Sequence, residues 1–168
     1  RFAFCGVSGV GWSDLRRHGF AESLELDPAD VPAFERPLSW WERFDETKGL
    51  PEWVRSLERP VAIFACNDTA GLKLTGVCAA AGILVPSEIA VLGVDNEDIL
   101  CELAQPSLSS IPVNTELIGY EAAHVLDRML QGSRPEELEI PPMEAIDRES
   151  TRTVVSEDDL VSRALGFI

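Results

Sequence analysis

Basic residues and histidine are scarce in this 168-residue sequence, which holds 14 Lys and Arg against 29 Asp and Glu, two histidines and a net charge of −15. A domain that grips nucleic acid needs the opposite sign to displace counterions from phosphates, so this stretch does not itself bind DNA. An anionic membrane surface is disfavoured on the same ground, whereas a neutral small molecule or a protein partner fits. Cys5, Cys66, Cys78 and Cys101 include no C-x-x-C pair, and neither a zinc site nor a disulfide framework is expected. Cys5, Cys66 and Cys78 lie in apolar or alanine-rich runs, where a thiol acts as a small hydrophobe, which favours a reducing interior over secretion. No apolar run approaches the roughly 18 residues of a membrane span, and no signal peptide is evident. There is no G-x-S-x-G elbow, and His18 and His124 stand outside any Ser or Cys nucleophile pattern, so no enzyme activity, metal or cofactor is expected. Gly6-x-x-Gly9-x-Gly11 reverses the order of a dinucleotide loop and has no Walker lysine.

What is present is the composition of a globular domain, 45% hydrophobic and 26% charged. The first residue is Arg1 and a strand opens at Phe2, which reads as a piece of a longer protein. Phe2 to Gly6 forms a short apolar run, then a glycine-rich turn leads to Ser13, the expected N-cap of a helix reaching about Leu24. Glu25 to Leu38 holds three prolines and no clear period. Ser39-x-x-Glu42 has the capping-box pattern, and Leu50 to Leu57 reads as helix. Val61 to Cys66 is a buried-strand run stopped by Asn67-Asp68, which can cap the next helix. There Ala70, Leu74, Val77, Cys78 and Ala81 share one face before Gly82. Ile89 to Val94 is a strand ending in Asp95-Asn96, followed by a helix over Asp98 to Leu103. Pro106 to Ile111 reads as strand, Asn114 or Thr115 caps a helix to Leu130, and Leu138 to Ile146 is a last extended run. Alternating strands and helices with short loops predict an α/β fold, an open parallel sheet with helices on both faces.

In such a sheet the polar residues just after each strand gather at one edge. That edge collects Trp12 and Arg16, then Asn67 and Asp68, then Asp95 and Asn96. Carboxylates accept from hydroxyls, amides donate and accept, Arg supplies a planar fork and an indole covers a C–H face, a set suited to a neutral sugar. The same Asn and Asp residues could act only as helix caps. Arg16, expected in the first helical turn, opposes the macrodipole there and calls for an acidic partner or a ligand. Trp40 and Trp41, at the start of a helix, read as core.

The runs Ala62-Ile63-Phe64-Ala65-Cys66-Asn67-Asp68-Thr69-Ala70-Gly71 and Ala81 to Asn96 resemble the effector domain of LacI/GalR-type repressors, whose fold is periplasmic-binding-protein-like. Pro106 to Ile111, Ile118 to Ala123 and Arg148-Glu149-Ser150-Thr151 follow in that family's order. Gly93 to Asp98 with Leu108-Ser109-Ser110, Ile140-Pro141-Pro142 and the tail from Asp158 narrow the resemblance to xylose-operon regulators, in which a LacI-like sensor is joined to an AraC-type DNA-binding domain. The resemblance implies that residues 1–155 form the C-terminal lobe of a sugar sensor, with 113–137 crossing toward an N-terminal lobe outside this chain. It implies that residues 156–168 are a linker and the first helix of the AraC-type module. It further implies a cytoplasmic homodimeric regulator whose effector is D-xylose or a related pentose, and which meets DNA only through that further domain. By position Arg16, Asn67 and Asp95 match effector contacts of the LacI relatives, Asp68 matches a ligand residue of the xylose regulators, and Trp12 occupies a site-facing position. Two alternatives remain, a periplasmic-type sugar-binding protein of the same fold and a small flavodoxin-like or Rossmann enzyme.

Overall fold

A computed structural model of the chain describes residues 1–43, 45–134 and 137–152. The expected linker and first helix of the DNA-binding module, 156–168, lie outside them. The elements run β1 (Phe2–Val7), α1 (Gly11–Ser23), β2 (Ala33–Arg36), α2 (Leu38–Trp41), α3 (Leu50–Ser56), β3 (Val61–Ala65), α4 (Asp68–Ala80), β4 (Ile89–Asp95), α5 (Asp98–Leu103), β5 (Ser109–Pro112) and α6 (Thr115–Leu130).

The strands form one parallel sheet in the order β2-β1-β3-β4-β5. Its order reverses between β1 and β3, and in open parallel sheets that is where a ligand crevice lies, beyond the carboxyl ends of the strands. Pleating sends alternate residues to opposite faces. Ala3, Ile63 and Val91 stand in register and are fully buried, on the face where α4 sets Ala70, Leu74 and Cys78 into the core. The small side chains of α4 allow a close approach, and a Cβ on Gly71 would stand 2.6 Å from Leu108. On the other face α1 stacks Phe20 against Phe64 and Phe2, with centroids 5.0 and 6.1 Å apart. The sheet thus has helices on both faces, as the alternation of strand and helix predicts.

Several local expectations are corrected. Helix α1 begins at Gly11 with Val10 as cap; Ser13 is instead buried within the first turn, and its Oγ accepts from the N–H of Val7 at 3.0 Å. The Ser39 capping box does not form, because α2 starts at Leu38 behind Pro37. The unpatterned stretch from Glu25 to Leu38 contains the edge strand β2, anchored by Phe34 among Trp40, Trp41 and Trp53. Strand β5 is shorter than Pro106 to Ile111 predicts and displaced toward Pro112. The run from Leu138 to Ile146 contributes one antiparallel bridge, Ile146 to Ser110.

The expectations for Asn67, Asn114 and Trp41 hold. Asn67 caps α4 by accepting from the N–H of Ala70 at 2.9 Å, and Asn114 caps α6 by accepting from that of Leu117 at 3.1 Å. Trp41 is core, its indole N–H shared between the carbonyls of Gly6 and Arg36. Among the described residues no helix is long and apolar enough to cross a membrane.

Candidate functional site

At the reversal of strand order, α1 rises from the loop after β1 and places Arg16 across the end of β3. Its guanidinium donates to the carbonyl of Cys66 at 2.6 Å and to Oδ1 of Asp95 at 2.9 Å. The ring of Trp12, one turn earlier, lies 5.3 Å from the Arg16 guanidinium carbon. Because α1 begins at Gly11, Arg16 is in the second turn, beyond the reach of the dipole argument made from the sequence. Its acidic partner is Asp95, brought in by β4. The two side chains remain 25% and 45% exposed, so the pair borders solvent and can be reached by a ligand.

The other candidates divide. Asn67 is half-buried at the end of β3; its Oδ1 caps α4 and accepts from Cys66 Sγ at 3.8 Å, and among the described residues its amide nitrogen has no hydrogen-bond partner. Asp68 points inward and is 1% exposed. Its Oδ1 accepts from Ser110 Oγ at 2.6 Å, and its Oδ2 accepts from the N–H of Glu97 at 2.7 Å and from Cys101 Sγ at 3.5 Å. Burial holds its carboxyl above the usual aspartate range, although these donors pull it down. Room for it comes from Gly93, where a Cβ would collide with Oδ1. Asn96 turns its Oδ1 to Arg148, which donates at 2.9 Å.

Trp12, Arg16, Asn67 and Asp95 therefore share the crevice edge, while Asp68 and Asn96 are engaged behind it. The roles of Ser110 and Arg148 are not visible in a search for polar residues after strands, since one lies inside β5 and the other on the segment returning past it. Asp95 and Asn96 have φ of 102° and 51°. Backbone of this kind is uncommon without glycine and clusters at functional sites.

The cysteines are buried and free. Burial pushes the thiols of Cys66 and Cys78 to about 11 and that of Cys101 to about 12, so they stay protonated and unreactive. Among the described residues no group of three His, Cys, Asp or Glu could hold a metal ion. An apolar cleft of about 450 Å³ lies away from the crevice, against α3 and α4, lined by Trp41, Pro51, Leu72, Lys73, Val77 and Leu100 among others. The Lys73 ammonium there already donates to the carbonyls of Arg43 and Glu46 at 2.7 and 3.0 Å. Converging, solvent-accessible polar groups favour the strand-end crevice as the ligand site.

Residues 1–151 match the periplasmic binding protein-like domain family. The xylose operon regulatory protein of Haemophilus influenzae is 33% identical over the whole chain, which spans 45% of that protein. A solved xylose-binding transcription activator aligns over 99% of this chain and 46% of its own, at 27% identity and a TM-score of 0.77. A LacI family transcriptional regulator from Enterococcus faecalis V583, solved with bound ribose, aligns over 92% of this chain and 55% of its own, at 26% identity and a TM-score of 0.72. The chain thus spans about half the length of the proteins it resembles.

Proposed function

This chain belongs to the periplasmic binding protein-like domain family, and on that premise we propose that it is the C-terminal lobe of the sugar sensor of a bacterial transcriptional regulator. The Arg16–Asp95 pair beside Trp12, at the reversal of strand order, is the observation that carries the reading. The proposed effector is a pentose, D-xylose first, supported by the xylose regulators that match the chain from end to end. Asp95 accepts from sugar hydroxyls, Arg16 and the Asn67 amide donate to ring or hydroxyl oxygens, and Trp12 covers a C–H face. Asp68 serves the site from behind, since its oxygens are engaged and out of solvent.

A crevice built by one lobe leaves half of a sugar in water, and an N-terminal lobe supplies the opposite wall. Helix α6 has no buried residue, and Ile118, Leu126, Met129 and Leu130 are exposed along it. An apolar stripe in water needs a partner, and residues 113–137 crossing onto that lobe provide one. The regulator works in the cytoplasm as a homodimer, binds DNA through an AraC-type module after residue 155, and is not an enzyme.

Calorimetry of the full-length regulator against pentoses and hexoses tests the reading. D-xylose is expected to bind more tightly than any hexose. Absence of binding by every sugar would overturn it.

A further inference from the structure

Asp95 reaches Arg16 from an unusual stretch of backbone. It and Asn96 are consecutive non-glycine residues at φ of 102° and 51°, and the first lies outside the left-handed well at about 50–70°. Such a pair persists only where its surroundings over-determine it. Three bonds hold this one. Ser110 Oγ accepts from the N–H of Asn96 at 3.0 Å, Asp68 Oδ2 accepts from the N–H of Glu97 at 2.7 Å, and Arg148 Nη1 donates to Oδ1 of Asn96 at 2.9 Å.

The holders are themselves fixed. Ser110 donates to Asp68 at 2.6 Å, and Arg148 donates from Nη1 to the carbonyl of Leu108 and from its backbone N–H to Ser109 Oγ, at 2.9 and 2.7 Å. Asp98 and Glu102, at 3.6 and 3.5 Å, flank the Arg148 guanidinium, which is 13% exposed. Asp68 and Ser110 are buried. Asp68 and Ser110 therefore have no surface to offer a ligand, and Arg148 commits its guanidinium to the partners above, yet all three end on the two residues that follow Asp95.

We propose that Asp68, Ser110 and Arg148 are positioning residues of the ligand site, which lock the Asp95–Asn96 pair in its left-handed backbone and so aim the Asp95 carboxylate at Arg16 and at the ligand. The proposal rests on the reading of Asp95 as a ligand contact. It makes Arg148, 52 residues from Asn96 in sequence, a determinant of affinity that never touches the sugar.

A double-mutant cycle in the full-length regulator, read by D-xylose calorimetry, separates this role from general stability. Arg148→Met is expected to weaken binding about tenfold. In the Asp95→Gly background, where glycine adopts the same φ without strain, it is expected to cause no further loss, because its effect passes through the missing carboxylate. Equal losses in both backgrounds overturn the proposal. A second arm needs no sugar: the Arg16 guanidinium signals and the exchange of the Asn96 and Glu97 amides are followed by NMR. Arg148→Met should release both while the β1 and β3 amides stay protected, and retention of both overturns the proposal. A wild type that binds no sugar refutes the ligand reading, and the NMR arm still decides the positioning role. Asn96→Ala, which removes the same bond, replaces Arg148→Met if that variant does not fold.

Discussion

Arg16 on α1 and Asp95 at the end of β4, 79 residues apart in sequence, form an ion pair at 2.9 Å on the rim of the crevice. Partly exposed pairs of this kind contribute about 0–1 kcal/mol to folding. Asp95→Gly should therefore shift urea-derived stability by no more than about 1 kcal/mol. A loss several times larger would make the pair a structural element and not a ligand contact.

Asp68 should impose a pH dependence on stability. Its carboxyl lies above the usual aspartate range because it is buried, so the folded chain holds this proton more tightly than the unfolded chain. The contribution is fully present below the ordinary aspartate value and is lost as pH rises through the raised folded value. Asp68→Asn cannot titrate, and the stability of the wild type relative to this variant should fall across that window. A pH-independent difference in urea titrations would contradict the assignment.

Lys73 ties the segment after α2 to α4. Its ammonium donates to Arg43 and Glu46 carbonyls at 2.7 and 3.0 Å and lies 4.4 Å from the centre of the Trp40 ring. Lys73→Met takes the ammonium from both carbonyls, leaving that of Arg43 with the N–H of Glu46 at 3.2 Å, and should lower stability by about 1–3 kcal/mol, with a change in tryptophan fluorescence. An unaltered denaturation midpoint would show that water replaces the ammonium at no cost.

Helix α6 should drive association when this chain is isolated. Leu126 and Leu130 are 57% and 80% exposed, and burying each against another surface gains about 1.5–3 kcal/mol. Sedimentation over a concentration series should show self-association of residues 1–168 that Leu126→Glu abolishes. A wild-type monomer at high micromolar concentration would contradict it.

The central sheet was legible because Val61 to Ala65 and Ile89 to Val94 are apolar runs closed by Asn67-Asp68 and Asp95-Asn96, which also marked the crevice. Strand β2 was not, because Ala33–Arg36 is an edge strand laid on β1 and depends on the ring packing of Phe34 with Trp40, Trp41 and Trp53. The direction of each polar side chain was equally out of reach. Asp68 turns inward because Gly93, on a neighbouring strand, leaves space for its carboxylate. Arg16 meets Asp95 only after three strands have assembled.

The most direct test of a sugar site built on Asp95 is D-xylose calorimetry of the full-length regulator carrying Asp95→Gly. A charge-assisted bond to a sugar hydroxyl is worth about 1.5–3 kcal/mol, so affinity should fall about tenfold or more while the melting temperature changes little. Undiminished D-xylose affinity in that variant would contradict the account.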